Sequence, residues 1–226
     1  MRIAFEGLER PIEFIPGNVT TLQIESPVLF SRIVRAAFSL DEDNAFERYS
    51  LWDGEERIKA KDSFLLVNDL LNLPWDHRLL FGSIMKKMEI EFLEDEDLRQ
   101  AVEASQRELS RKLLSIGMSY DSDYGYGVEW DFKRYLKMMA FGIDTHDDDP
   151  YIDNVIKFLS LAFDANCEQV IVFANLKTFL SENDLKIMFD HVFSTGLKLF
   201  LLENKCDNNS YENEKKYVVD MQFLES

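Results

Sequence analysis

Acidic side chains clustered on short loops are the first candidates for chemistry. Asp121, Asp123 and Glu129 surround a stretch rich in glycine and tyrosine. Oxygen ligands at alternating positions on a flexible loop are what a hard cation such as calcium requires. The spacing departs from an EF-hand loop: the third ligand is missing, Gly125 comes one place early and no Glu stands at the twelfth position. A second cluster comprises Asp144, His146, Asp147, Asp148, Asp149 and Asp153. It reads either as a metal-ligating set or as a solvated loop whose charges favour the start of the following helix.

Nucleophilic chemistry has less to stand on. The three histidines, His77, His146 and His191, lie beside no Gly-x-Ser-x-Gly elbow. Cys167 and Cys206 read as ordinary thiols. Gly82-Ser83-Ile84-Met85-Lys86-Lys87 lacks the two-glycine spacing of a phosphate loop and falls within a helical run.

Basic residues are grouped. Arg32 and Arg35 lie three apart, and Arg57, Lys59 and Lys61 alternate on an extended segment. Lys86 pairs with Lys87, Arg111 with Lys112, and Lys133, Arg134 and Lys137 share about one helix turn. Taken singly, each group reads as a solvated surface with ion pairs. Repeated around a symmetry axis, a modest patch becomes a basic ring or channel able to accept a phosphate backbone.

These groups belong to a chain of 226 residues, long enough for one large domain or a compact domain with an insertion. With 46% hydrophobic and 30% charged residues, global disorder is excluded. The net charge of −17 excludes a uniformly basic nucleic-acid coat. Two cysteines cannot build a disulfide framework or a four-thiolate metal site. The expectation is a soluble, cytoplasmic, reduced protein without signal peptide or membrane span.

Periodicity supplies the elements. Residues 1–5, 12–15 and 19–24 read as strands, and Ser26-Pro27 opens a helix over 27–40 on Val28, Ile33, Val34, Ala37 and Phe38. Residues 49–52 before Asp53-Gly54 start a hairpin, and 64–67 suit a buried strand. From about 75 to 118 the pattern is helical, with stripes Leu79, Leu80, Ile84, Met88 and then Leu98, Val102, Leu109, Leu113, Leu114. Residues 94–97 mark the junction of what should be two antiparallel helices. A loop over 119–127 precedes a helix over 129–141, and another helix covers 153–162.

The last third reads as a strand over 169–174, a helix started by Ser181 and Asp184 on Leu185, Met188, Phe189 and Phe193, and a strand over 197–203. That unit implies parallel strands. Residues 204–216 read as a polar loop and 217–221 as an edge strand. Strands at both ends and helices between predict an α/β head from 1–74 and 151–226 with a helical leg inserted over 75–150.

Three stretches carry a family resemblance. One is Phe30-Ser31-Arg32-Ile33-Val34 after short strands. The second is 65–73 followed by a helix bearing Leu79, Ile84 and Glu91. The third runs from Lys157-Phe158-Leu159 through 170–175 and 180–185 to 199–203. In order, spacing and length the chain resembles the small ring-forming adaptation proteins of type II-A CRISPR systems (Csn-type family). The resemblance implies an ATPase-like α/β head lacking a working phosphate loop, with a helical leg. It implies a homotetrameric ring that binds calcium and threads double-stranded DNA ends without sequence preference. It further implies no catalytic activity, and a role in spacer acquisition and antiviral defence beside the integrase proteins and the RNA-guided nuclease. The family's calcium ligands fall before the helix matching 129–141, where this chain offers Asp121, Asp123, Glu129 and Asp131. Candidate DNA contacts are Arg111, Lys112, Lys133, Arg134 and Lys137, then Arg57 and Lys59. The alternatives are a metal-dependent phosphohydrolase using Asp121, Asp123 and 147–149, and a scaffold of the adaptation complex.

Overall fold

The strands of the C-terminal third show why the α/β class holds. In the computed structural model, which describes residues 1–125, 130–146 and 148–221, Val170–Ala174 (β7) and Lys198–Glu203 (β8) are parallel neighbours joined through the helix Glu182–Thr195 (α7). Their near-continuous apolar runs are what a parallel sheet covered on both faces demands. Phe64–Leu66 (β6), Val19–Ile24 (β3) and Glu214–Val219 (β9) complete a five-stranded sheet in the order β6-β7-β8-β3-β9, parallel throughout. β9 starts three residues before the predicted strand, because Glu214 and Lys215 pair beside Val19 and Thr20.

The early strands form a second sheet. Arg2–Phe5 (β1), Ile12–Glu13 (β2), Tyr49–Asp53 (β4) and Glu56–Ile58 (β5) run antiparallel in the order β2-β1-β4-β5. Gly54, at φ +58°, sits in the β4–β5 turn as the Asp-Gly signal predicts. Ala60–Ser63 (α2) is a single turn between β5 and β6.

Alternation sorts the core into layers. Leu22, Ile24, Val170, Val172, Phe200 and Leu202 face the antiparallel sheet and the helix Pro27–Ser39 (α1), in a cluster with Ile3, Phe14, Ile33 and Leu51. Phe14 meets Phe200 edge-on at 5.0 Å. On the opposite face, Phe173 meets Phe158 of the helix Tyr151–Asp164 (α6), edge-on at 6.4 Å. α1 begins where Ser26 accepts a hydrogen bond from the Leu29 amide, with Pro27 at the first position. Its buried stripe is Leu29, Ile33, Ala36 and Ala37, so Val28 points outward. α7 opens with a complete Ser181–Asp184 capping box and closes at Gly196, φ +71°. Val192, not Phe193, continues its buried stripe, because i, i+3, i+4, i+7 from Leu185 lands there.

The chain divides into two compact units, Met1–Trp75 with Thr145–Ser226, and Asp76–Asp144. The second contains Arg78–Glu94 (α3), Glu96–Gly117 (α4) and Phe132–Met138 (α5). Asp95 alone separates α3 from α4, and its carboxylate caps α4 at the Leu98 amide, 2.9 Å away. α3 buries Leu80, Met85 and Phe92, while Leu79 of the expected stripe is exposed. α4 buries nothing: Leu98, Leu109 and Leu113 stand open. The predicted helix over 129–141 is shorter, because Asp131 caps it only at Phe132. Among the described residues, no helix is long and apolar enough to cross a membrane.

Candidate functional site

Within the Asp76–Asp144 unit, α4 and α5 bound an apolar groove of about 480 Å³. Val102, Leu109 and Leu113 line it from α4, and Tyr135 and Met138 from α5, with Trp130 between. Phe92 of α3 stacks on Phe132 at 4.5 Å, which fixes α5 against α3. The same two groove helices carry five of the seven predicted DNA-contact residues. Arg111 and Lys112 lie on α4, and Lys133, Arg134 and Lys137 on α5. Lys112 pairs with Glu108 one turn earlier at 2.7 Å, and Lys133 reaches Glu89 of α3 at 2.6 Å. Arg111, Arg134 and Lys137 are exposed.

Arg57 and Lys59 are not part of that constellation. They belong to the other unit, Arg57 on β5 and Lys59 at the start of α2. Arg57 is held by Asp43 at 2.8 Å.

The acidic candidates divide similarly. Asp121 and Asp123 are exposed just beyond α4. Asp131 caps α5, where its Oδ1 accepts from the Arg134 amide at 2.7 Å. Glu129 and Asp147 lie outside the described residues. Carboxylate oxygens suit a hard cation by chemistry, but among the described residues no group of three or more Asp, Glu, His or Cys is arranged to hold one. Asp149 accepts from Lys157 at 2.6 Å, and this hydrogen bond holds its carboxyl below the usual range. Asp153 lies in the first turn of α6. Of the histidines, His77 precedes α3 and His191 lies 3.4 Å from Ser160; burial lowers both below the ordinary imidazole value. Gly82 lies inside α3, as the helical pattern around it requires.

The most elaborate polar arrangement has no spacing signature in the sequence. At the carboxyl ends of β3 and β8, Gln23 and Glu203 are opposite partners and both fully buried. Lys177, just after β7, reaches Glu214 at 2.7 Å and Asp207 at 3.1 Å. Burial would lower the Lys177 ammonium, but the Glu214 hydrogen bond and the two carboxylate charges raise it instead. Asp207 also takes Lys216 at 2.6 Å. Burial would raise the Asp207 carboxyl, and the two lysines outweigh it and lower it. Glu203 accepts the Lys177 amide at 3.0 Å, and burial pushes its carboxyl up to about 7. The available sequence signals are a charged residue directly after the apolar run Leu199-Phe200-Leu201-Leu202, and a Gln inside another strand.

No curated protein matches the chain in a sequence comparison. A family model described as CRISPR-associated protein (Cas_Csn2) matches residues 41–223. That span takes in the whole helical unit, both groove helices, and the parallel strands from β6 to β9 other than β3. The chain belongs to the Cas_Csn2 family of CRISPR-associated proteins.

Proposed function

We propose that this CRISPR-associated protein binds double-stranded DNA ends without sequence preference during spacer acquisition, as a non-catalytic homotetrameric ring that DNA threads. The observation that carries the reading is that Arg111, Lys112, Lys133, Arg134 and Lys137 all lie on two helices, α4 and α5, of one compact unit. Cations on helical faces neutralise phosphates and release counterions, which gives affinity without base readout. A net charge of −17 repels DNA overall and confines it to such local patches. Symmetry would multiply the patch around the ring axis. Calcium is the proposed ligand of Asp121, Asp123, Glu129 and Asp131, and no step of DNA binding is routed through it. The integrase proteins and the RNA-guided nuclease are the proposed partners.

The test is the salt dependence of duplex binding. Removing one cation that neutralises a phosphate lowers the slope of log K against log salt by about 1. Substituting Arg134→Ala and Lys137→Ala together should weaken binding equally across sequences and flatten the slope by up to about 2. Unchanged affinity and slope would remove α5 from the interface.

A further inference from the structure

Residues 204–213 connect β8 to β9: they leave the carboxyl end of β8 and return to the amino end of β3, where Asn213 accepts from the Val19 amide at 2.9 Å. In open α/β sheets, the carboxyl edge from which they start is where ligands bind. The connection is held there mostly by polar contacts. Asn204 donates from its amide to Asn175 Oδ1 at 3.1 Å and from its side chain to the Ile24 carbonyl at 3.0 Å. Asn209 donates to Glu182 at 3.2 Å, and Tyr211 meets Phe189 edge-on at 4.9 Å.

At the centre sits one carboxylate with four donors, three of them side chains from outside the connection. Asp207 Oδ2 accepts from Gln23 Nε2 of β3 at 2.7 Å and from Lys177 Nζ at 3.1 Å. Asp207 Oδ1 accepts from Lys216 Nζ of β9 at 2.6 Å and from the Asn209 backbone amide of the connection at 3.0 Å. Gln23 is fully buried, and the Lys177 side chain is 9% exposed. Two of the side-chain donors, Gln23 and Lys216, are therefore built into the sheet and Lys177 follows β7, while the carboxylate arrives on the connection. Around the seat, the charges are Lys177 and Lys216 against Glu214, whose Oε1 takes Lys177 at 2.7 Å and Thr21 Oγ1 at 2.6 Å. Its Oε2 lies 3.8 Å from Lys216 Nζ. With Asp207 withdrawn and Glu203 protonated, as it is below about pH 7, these three leave one positive charge, which matches a monoanion with two oxygens.

We infer that Gln23, Lys177 and Lys216 form a carboxylate-binding seat at the sheet's carboxyl edge, closed in cis by Asp207, which an exogenous carboxylate occupies when residues 204–213 lift. The side chain of Asp207 is one methylene and a carboxylate, so acetate reproduces it atom for atom. The inference is independent of DNA binding, since the Asp76–Asp144 unit contributes none of these residues.

The experiment is chemical rescue of the full chain. Asp207→Ala takes one carboxylate from Lys177, which keeps Glu214, and one from the partly exposed Lys216, and should lower Tm by about 4 °C. Acetate at tens of millimolar should restore most of that loss, measured against the effect of acetate on the unsubstituted protein and against chloride at equal ionic strength. Adding Lys216→Ala to Asp207→Ala should shrink the rescue several-fold. If Asp207→Ala does not fold in chloride, the yield of folded protein on refolding in acetate is the readout, and recovery there supports the seat. No rescue beyond that seen for the unsubstituted protein overturns the proposal. Rescue by inorganic phosphate and not by acetate overturns the assignment to carboxylates.

Discussion

Glu203→Gln should stabilise the protein, by an amount that grows as pH rises from about 4.5 to about 7. Glu203 is 2% exposed, and burial lifts its carboxyl from 4.5 to about 7. Lys177 pulls it down through its amide and its charge, and Asp207 and Glu214 push it up further. The folded state thus holds a proton that the unfolded chain releases near 4.5. Between those values the folded state binds more protons, so stability falls as pH rises. The cost is absent below about 4.5 and complete above about 7. At about 1.4 kcal/mol for each tenfold change in proton affinity, the gap amounts to about 3 kcal/mol. Glutamine keeps a carbonyl to accept from the Lys177 amide and carries no charge. Urea unfolding at pH 5 and pH 8 should show the variant gaining up to about 3 kcal/mol at pH 8 and little at pH 5. A gain independent of pH, or a loss at pH 8, would rule this out, because either outcome means the carboxylate is not penalised by burial.

Other substitutions probe other links. Ser181→Ala removes the capping box of α7 and should cost about 1 kcal/mol by urea unfolding, with Ser181→Asp close to neutral. Phe200→Ala opens a cavity between the two sheets where Phe14 meets Phe200, and should cost about 3–5 kcal/mol. Asp131→Asn keeps an oxygen for the Arg134 amide, so Tm in chelator should stay within about 1 °C, while any calcium-induced rise in Tm should fall. A full calcium response in that variant would leave Asp131 a cap and nothing more.

The parts legible in the sequence are those where one local signal decides. Ser26-Pro27, Ser181 with Asp184, Asp53-Gly54 and the apolar runs through Val170 and Leu199 each point to one structure. In each case the element appears with its expected neighbour. Helix faces are less legible. On α1 and α7 a shift of one residue separates Val28 from Leu29 and Phe193 from Val192, and only packing against the sheet decides between them. On α4 the stripe Leu98, Leu109, Leu113 is present, but nothing among the described residues buries it. The basic residues of α5 are legible as a group, because i, i+3 and i+4 spacing places Lys133, Arg134 and Lys137 on one short helix. The seat of Asp207 is not. Its side-chain donors are Gln23, near the start of the chain, and Lys177 and Lys216, near its end, brought together by the pairing of β7 with β8 and of β3 with β8 and β9.

Threading of a DNA end is a topological property, so closed circles are the decisive substrate. Linear and covalently closed circular duplexes of the same sequence and length should be compared for retention by the protein, with calcium and with chelator, alongside a light-scattering mass. A threaded ring requires a tetramer that holds linear DNA strongly and closed circles weakly, whatever the sequence. Equal retention of closed circles, or a monomer that holds neither, would overturn it.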